Sequence, residues 1–411
     1  MDNTEPETEI ILVNLSGEDK PGVTAALTSI LAKYDANILD IGQANIHHSL
    51  SLAILFEAKT KDSGDILKNL LFKATELGVT IRFSPLSKTE YTNWVNLQGK
   101  NRYIITILGR ELNAKQIAIV TNAIHHYKLN IEAITRLTGR VPIDIKSRPQ
   151  RSCIELSIRG YIDCPEELQK KFMELSAEHS IDIAFQEESM YRRMRRLICF
   201  DMDSTLIQTE VIDELAERNG VGEEVRAITE SAMRGEIDFS ESFKRRVSLL
   251  KGLDESVMKE IAENLPITEG MVRLVRILKK GGYKIGILSG GFTYFGNYLQ
   301  EKYGFDYVYA NELEIVDGKL TGNYVGDIVD GRRKAELLKL IAQVEKVDIR
   351  QTVAVGDGAN DLPMLATAGL GIAFHAKPKV KANAKQSLST VGLDGILYFL
   401  GYKDSMLEGD N

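Results

Sequence analysis

Two carboxylates one residue apart, Asp201 and Asp203, follow directly on the apolar run Leu197-Ile198-Cys199-Phe200, with Ser204 and Thr205 behind them. An apolar run of this length reads as a strand buried on both faces. In an open parallel sheet, ligands bind just beyond the carboxyl ends of the strands, where these carboxylates fall. Alternate residues of an extended segment point the same way, so the two can converge on one site. Adjacent carboxylates repel. A hard divalent cation such as Mg2+, which keeps waters and a substrate phosphate in its shell, relieves that repulsion.

Three further stretches supply what such a site needs. Residues 283–292 read as a second buried strand ending in Ser289-Gly290-Gly291, a hydroxyl followed by backbone N–H groups that can approach an anion closely. Residues 326–335 open a helix with Lys334 near its start. A cation there works against the helix dipole unless its charge serves a phosphate and an attacking carboxylate. A third apolar strand, from Thr352, ends in Gly356-Asp357-Gly358-Ala359-Asn360-Asp361. One of those carboxylates can ligate a metal while the other secures Lys334. The interval of about 85 residues between Asp203 and Ser289 reads as helices over 210–219, 223–234, 239–249 and 255–265, an insertion placed to act as a lid.

These four motifs, in this order, resemble the haloacid dehalogenase (HAD) superfamily of phosphotransferases over roughly residues 196–400. The resemblance implies an α/β fold, a Rossmann-like core with a parallel sheet and a small helical cap at about 211–268. It implies Asp201 as nucleophile, Asp203 as acid and base, Lys334 as the neutralising cation and Ser289 and Gly290 around the phosphoryl group. The metal would be Mg2+ on Asp201, Asp203 and Asp357, supported by Asp361.

The segments 201–210, 233–239, 243–246 and 289–292 are similar to the phosphoserine phosphatase family. That likeness implies O-phospho-L-serine as substrate, Glu210 for its ammonium, Arg246 for its carboxylate, Met233 and Phe239 as an apolar wall, and Asn360 as a further substrate contact. The chemistry agrees: a zwitterion beside a phosphate needs one anion and one fork-shaped cation. Arg245 is an alternative to Arg246. Transfer of the phosphoryl group to an alcohol would use the same motifs. A serine-binding regulator with vestigial catalysis is a second alternative, opposed by the intact Asp201, Asp203, Lys334 and Asp357.

The first half carries two similar successions of strand and helix. Strands near 9–15, 37–46, 49–56 and 79–83 enclose helices near 23–34 and 62–77, and the order recurs from Tyr103 to Phe185. The turn Asp19-Lys20-Pro21-Gly22, followed by a helix and Asn37-Ile38-Leu39-Asp40, resembles ACT domains. The resemblance implies two ferredoxin-like (βαββαβ) modules, an amino-acid effector (L-serine) near Asp19, Gly22 and Asn37, and a homodimer. The second module, with Gly109-Arg110-Glu111-Leu112-Asn113, lacks the proline and second glycine of the turn.

With 411 residues, the chain has room for several domains, expected at 1–92, 93–190 and 191–411. A net charge of −7 argues against nucleic acid as a partner. No apolar run approaches the roughly 18 residues that span a membrane, which also sets aside the P-type ATPases that share aspartyl-phosphate chemistry. The acidic start, Met1 to Glu9, lacks the basic and apolar pattern of a signal peptide. The three cysteines have no metal-type spacing. The arginine-rich stretch 189–196 reads as a solvated link, and the cytoplasm is the expected location.

Overall fold

A computed structural model describes residues 7–96, 101–140 and 151–407. Met1 to Pro6, most of the acidic start, lie outside the described residues. The chain divides into two compact units, 1–100 and 101–411.

The first unit runs β1 (Thr8–Glu18), α1 (Val23–Ala32), β2 (Asn37–Ile46), β3 (Ser49–Lys59), α2 (Thr60–Leu77), β4 (Thr80–Leu86) and α3 (Lys88–Asn96). Its antiparallel sheet is ordered β2-β3-β1-β4. Ile11, Val13 and Leu15 alternate along β1 and pack with Val23, Leu27 and Leu31 of α1 and Ile66, Leu70 and Ala74 of α2. The period of two on the strand meets the period of about four on each helix, which makes one core.

The second unit opens with the same device: β5 (Arg102–Gly109), α4 (Ala114–His126), β6 (Asn130–Arg136), β7 (Ser152–Arg159), α5 (Pro165–His179) and β8 (Asp182–Glu187). The sheet order, β6-β7-β5-β8, repeats the first. The short α6 (Met190–Arg193) then leads into β9 (Leu197–Phe200).

That link is only in part the solvated stretch expected, with Arg193 and Arg196 exposed. Arg192 pairs with Glu155 at 2.7 Å, and Arg195 donates to Gln186 Oε1 at 2.9 Å, with both arginines buried. The sequence shows the charges but not the partners, which come from β7 and β8. The contact continues on the far edge of the core, where Asp182 accepts main-chain N–H groups of Ser389 and Thr390 at 2.8 and 2.9 Å.

After β9, the chain forms four helices, α7 (Val211–Arg218), α8 (Gly222–Met233), α9 (Phe239–Ser248) and α10 (Ser256–Glu263). It leaves and returns through two adjacent strands of chain, with Ile207 bridged to Ile267. The core continues as α11 (Met271–Lys280), β10 (Lys284–Phe292), α12 (Thr293–Tyr303), β11 (Tyr307–Val316), β12 (Lys319–Val325), α13 (Gly331–Val344), β13 (Thr352–Gly356), α14 (Leu362–Thr367), β14 (Leu370–Phe374), α15 (Pro378–Lys381), β15 (Gln386–Leu388) and α16 (Ile396–Phe399).

The seven-stranded sheet is ordered β12-β11-β10-β9-β13-β14-β15. All its pairings are parallel except the β11–β12 hairpin. Residues 197–200 are all buried, as a central parallel strand requires. From β9 the chain goes to β10 on one side and later to β13 on the other. The strand order therefore reverses at the carboxyl end of β9, where an open α/β sheet forms its crevice.

Candidate active site

Asp201 is the first residue beyond β9, and its Oδ1 accepts the N–H of Met202 at 2.8 Å. The chain then turns sharply, with Ser204 in the left-handed region at φ 54°. Few non-glycine residues adopt that backbone, and it brings Asp203 back toward the sheet. Asp203 Oδ1 accepts the N–H of Val211 at 2.9 Å, at the start of the cap helix α7. Ser204 Oγ donates to Glu210 Oε1 at 2.7 Å.

Lys334 sits in the first turn of α13, which Asp330 caps by accepting the N–H of Arg333 at 2.8 Å. Its ammonium is fully buried, 2.8 Å from Asp201 Oδ1 and 2.7 Å from Asp361 Oδ1. Asp361 Oδ2 accepts the N–H of Gly358 at 2.9 Å. Asp357, just beyond β13, takes the hydroxyl of Thr205 on Oδ1 at 3.3 Å.

Oxygens of Asp201, Asp357 and Asp361 all lie within 4.8 Å of one another. Three carboxylates around one ammonium leave negative charge in excess. Burial, reinforced by Asp361, pushes the Asp201 carboxyl well above the usual range. The same causes push Asp357 up to about 7. Burial alone would lower Lys334, but Asp201 and Asp361 outweigh it and hold the ammonium charged.

This oxygen-only, net-negative donor set fits a hard divalent cation. Among the described residues, Asp201 Oδ2 and Asp357 Oδ2 take no hydrogen bond, whereas both oxygens of Asp361 are committed. Both free oxygens are available to a metal. Asp203, the third expected ligand, is not among these three carboxylates, and its Oδ1 accepts the Val211 N–H.

Ser289 is fully buried, and its Oγ accepts the N–H of Gly291 at 2.9 Å. Ser289 to Gly291 form the last part of β10, which reaches Phe292. Neither glycine has room for a side chain. A Cβ on Gly290 would fall 2.8 Å from Cζ of Phe239, and one on Gly291 would fall 2.3 Å from Oδ2 of Asp203. Burial, followed by the charge of Glu210, raises the Asp203 carboxyl well above its usual range.

The cap brings some of its expected residues inward. Arg246 is half-buried with Glu210, Asp213 and Asp203 as the acidic groups facing it. Burial lowers its pKa and those charges oppose the shift. Arg245 points away and pairs with Glu241 at 2.6 Å on the exposed face of α9. Phe239 stacks on Phe243 with ring centres 6.4 Å apart.

Met233, expected in an apolar wall, ends α8 and is 63% exposed, with its sulfur 3.5 Å from Lys377 Nζ on a core loop. Asn360 is half-buried, and its carbonyl lies so close to Gly331 that a Cβ there would come within 2.4 Å. Sequence reasoning passed over Thr205, whose bond to Asp357 follows from the chain reversal at Ser204.

In the first unit, a cavity of about 500 Å3 is lined by Asp19, Gly22, Gln43 and Asn45 among others. Gly22 has φ 94°, and no side chain caps the first turn of α1 that follows it. Asn45 Nδ2 donates to Asp19 Oδ2 at 2.6 Å, and Thr24 Oγ1 to Gln43 Oε1 at 2.9 Å. Asn37 does not line this cavity. It pairs with Glu57 at the opposite end of β2. Gln43 and Asn45, two apart on one face of β2, were legible only by strand periodicity. In the second module, the equivalent helix start is closed by its own capping box, Asn113 with Gln116.

Residues 9–84 and 102–186 each match an ACT domain family, and residues 198–366 match the haloacid dehalogenase-like hydrolases. A phosphoserine phosphatase from Streptomyces coelicolor is 38% identical over 402 residues, covering 97% of this chain and 93% of the relative. One from Mycobacterium tuberculosis is 38% identical over 410 residues, covering 98% and 96%.

Among solved structures, a HAD family hydrolase from Salmonella enterica has a TM-score of 0.62 at 29% identity, covering 72% of this chain and 98% of that one. A probable phosphoserine phosphatase from Vibrio cholerae has a TM-score of 0.56 at 37% identity, covering 72% and 86%. With identity of this order sustained along almost the whole of each relative, through both ACT domains and the hydrolase core, the chain belongs to the phosphoserine phosphatase family.

Proposed function

We propose that the enzyme hydrolyses O-phospho-L-serine to L-serine and phosphate, the last step of serine biosynthesis, through a phosphoryl group carried on Asp201. The observation that carries this reading is the buried Asp201–Lys334 pair, 2.8 Å apart at the topological switch point beside Ser289. A carboxylate held next to a fixed cation can attack phosphorus, and the cation is already in place for charge on the phosphoryl oxygens.

In the first displacement, a carboxylate oxygen of Asp201 bonds to phosphorus and the bond to the serine oxygen breaks. Asp203, whose raised pKa suits an acid, gives that oxygen its proton. Water then attacks the aspartyl-phosphate, Asp203 takes the proton, and phosphate leaves with Asp201 restored. Ser289 and the N–H groups of Gly290 and Gly291 orient the phosphoryl group, Lys334 offsets its charge and Asp361 holds Lys334. Mg2+ on Asp201 and Asp357 supplies further positive charge at the phosphoryl oxygens when bound.

Glu210 and Arg246 meet the ammonium and carboxylate of the substrate, and Phe239 covers Gly290 from the cap side. Support for the substrate comes from the relatives named above and from this pairing of one anion with one fork-shaped cation.

L-Serine as an effector in the cavity at Asp19 and Gly22, a homodimer and a cytoplasmic setting complete the proposal. No described helix is long and apolar enough to cross a membrane.

Phosphate release from L-phosphoserine with Mg2+, beside a panel of other phosphoesters, tests the reading. A strong preference for phosphoserine is expected. Equal rates across the panel would keep the phosphatase and reject the Glu210–Arg246 pocket.

A further inference from the structure

Strand β10 does not keep step with β11 where it passes the site. Leu288 stands opposite Tyr309 and Phe292 opposite Asn311, so Ser289, Gly290 and Gly291 together face Ala310 alone. A bulge of this kind breaks the ladder and leaves main-chain groups without their strand partners. Buried carbonyls need a donor from elsewhere.

Asn311 supplies it. The residue is 2% exposed, and its Nδ2 donates to the carbonyl of Gly290 at 2.8 Å and to that of Gly291 at 3.3 Å. Its Oδ1 accepts the N–H of Val329 at 2.8 Å. Val329 immediately precedes Asp330, the cap of α13, and Lys334 lies one turn further on. A single buried carboxamide therefore ties the Ser289 segment to the start of the helix that carries Lys334.

We propose that Asn311 is a positioning residue for the phosphoryl site. It fixes the spacing between the Ser289–Gly291 segment and Lys334, and so the place where phosphorus meets Asp201. The inference rests on the reading of Ser289 and Lys334 as phosphoryl-holding groups. Phe239 and Asp203 bound the two glycines on other sides, so loss of Asn311 frees the segment in one direction only. Misplacement of a reacting group by about 1 Å costs on the order of a hundredfold in rate.

The test compares Asn311→Asp, Asn311→Ala and Ser289→Ala with the full-length wild type, using L-phosphoserine, Mg2+ and inorganic phosphate as inhibitor. Aspartate keeps the size and the acceptor for Val329 but replaces the donor with a group that repels both carbonyls.

Both Asn311 variants should lose about 10- to 100-fold in kcat and bind inorganic phosphate correspondingly more weakly. KM should change little, because Glu210 and Arg246 still hold the serine end. Asn311→Ser, smaller but still a donor, should recover part of the loss, and it decides the matter if the other two fail to fold.

A folded Asn311→Asp protein with wild-type kcat and phosphate inhibition would overturn the proposal. If Ser289→Ala is then impaired, the phosphoryl reading survives and only the tie fails. If Ser289→Ala is also unimpaired, both fail.

Discussion

Lys334 Nζ stands between two buried carboxylates, 2.8 Å from Asp201 and 2.7 Å from Asp361, with no exposure to solvent. An ammonium so placed does two jobs. It makes the burial of Asp201 tolerable, and it sits where charge on a transferring phosphoryl group would develop. Lys334→Ala should therefore lower kcat by about 10²–10³-fold and destabilise the protein by roughly 3–5 kcal/mol, because the carboxylates lose their counter-charge. Steady-state kinetics and urea unfolding separate the two effects. Lys334→Arg should not restore activity, since a planar guanidinium does not fit a site built for a compact ammonium.

The two neighbouring arginines of α9 should behave differently. Arg246 faces the acidic groups of the site, whereas Arg245 is spent on Glu241 at the surface. Arg246→Ala should cost about 1.5–3 kcal/mol in kcat/KM for phosphoserine, the usual worth of a charge-assisted hydrogen bond. A phosphoester without a carboxylate should be turned over as before. Arg245→Ala should leave both substrates within about twofold, because exposed helical ion pairs contribute little. The reverse pattern would move the carboxylate grip to Arg245.

Removal of metal should act through the carboxylate cluster. EDTA should abolish phosphate release and Mg2+ should restore it. Asp357→Asn should shift the Mg2+ titration to concentrations at least about tenfold higher, since one of the two free oxygens loses its charge. Because Mg2+ offsets repulsion among Asp201, Asp357 and Asp361, it should also raise the thermal midpoint of the wild type. Full activity in EDTA would remove the metal from the account.

Much of this site was legible because each group falls at the end of an apolar strand or the start of a helix. Asp201 and Asp357 follow β9 and β13 in that way, Ser289 lies in the last part of β10, and Lys334 opens α13. What escaped depends on partners distant in sequence or on a local reversal. Asp203 looks equivalent to Asp201 two residues away, but the left-handed turn at Ser204 hands its carboxylate to Val211. Met233 sits in a matching motif, yet α8 ends with it in solvent. Asn37 and Gln43 share a strand, and only the pairing register shows which end meets Asp19. The buried roles of Arg192, Arg195 and Asn311 were invisible because nothing in their own segments names Glu155, Gln186 or Gly290.

The junction of the second ACT domain with the core offers a test of stability. Asp394 has a side chain only 2% exposed and pairs with Arg151, just before β7, and with Arg273 at 2.9 Å. Asp394→Ala leaves two arginines partly buried without their acid and should cost roughly 3–5 kcal/mol in urea unfolding. The nearby Arg110–Glu269 pair is about half exposed on both sides, at 45% and 48%. Glu269→Ala should cost no more than about 1 kcal/mol. Equal costs would mean that burial does not decide the worth of these contacts.

The central claim is that the phosphoryl group passes through Asp201. Rapid acid quenching of wild-type protein turning over L-phosphoserine with Mg2+, followed by peptide mapping, tests it most directly. The account predicts a hydroxylamine-sensitive phosphoryl adduct on Asp201, with neither adduct nor turnover in an Asp201→Asn protein whose asparagine is verified intact. An adduct on a different residue, or wild-type turnover by that variant, would contradict it.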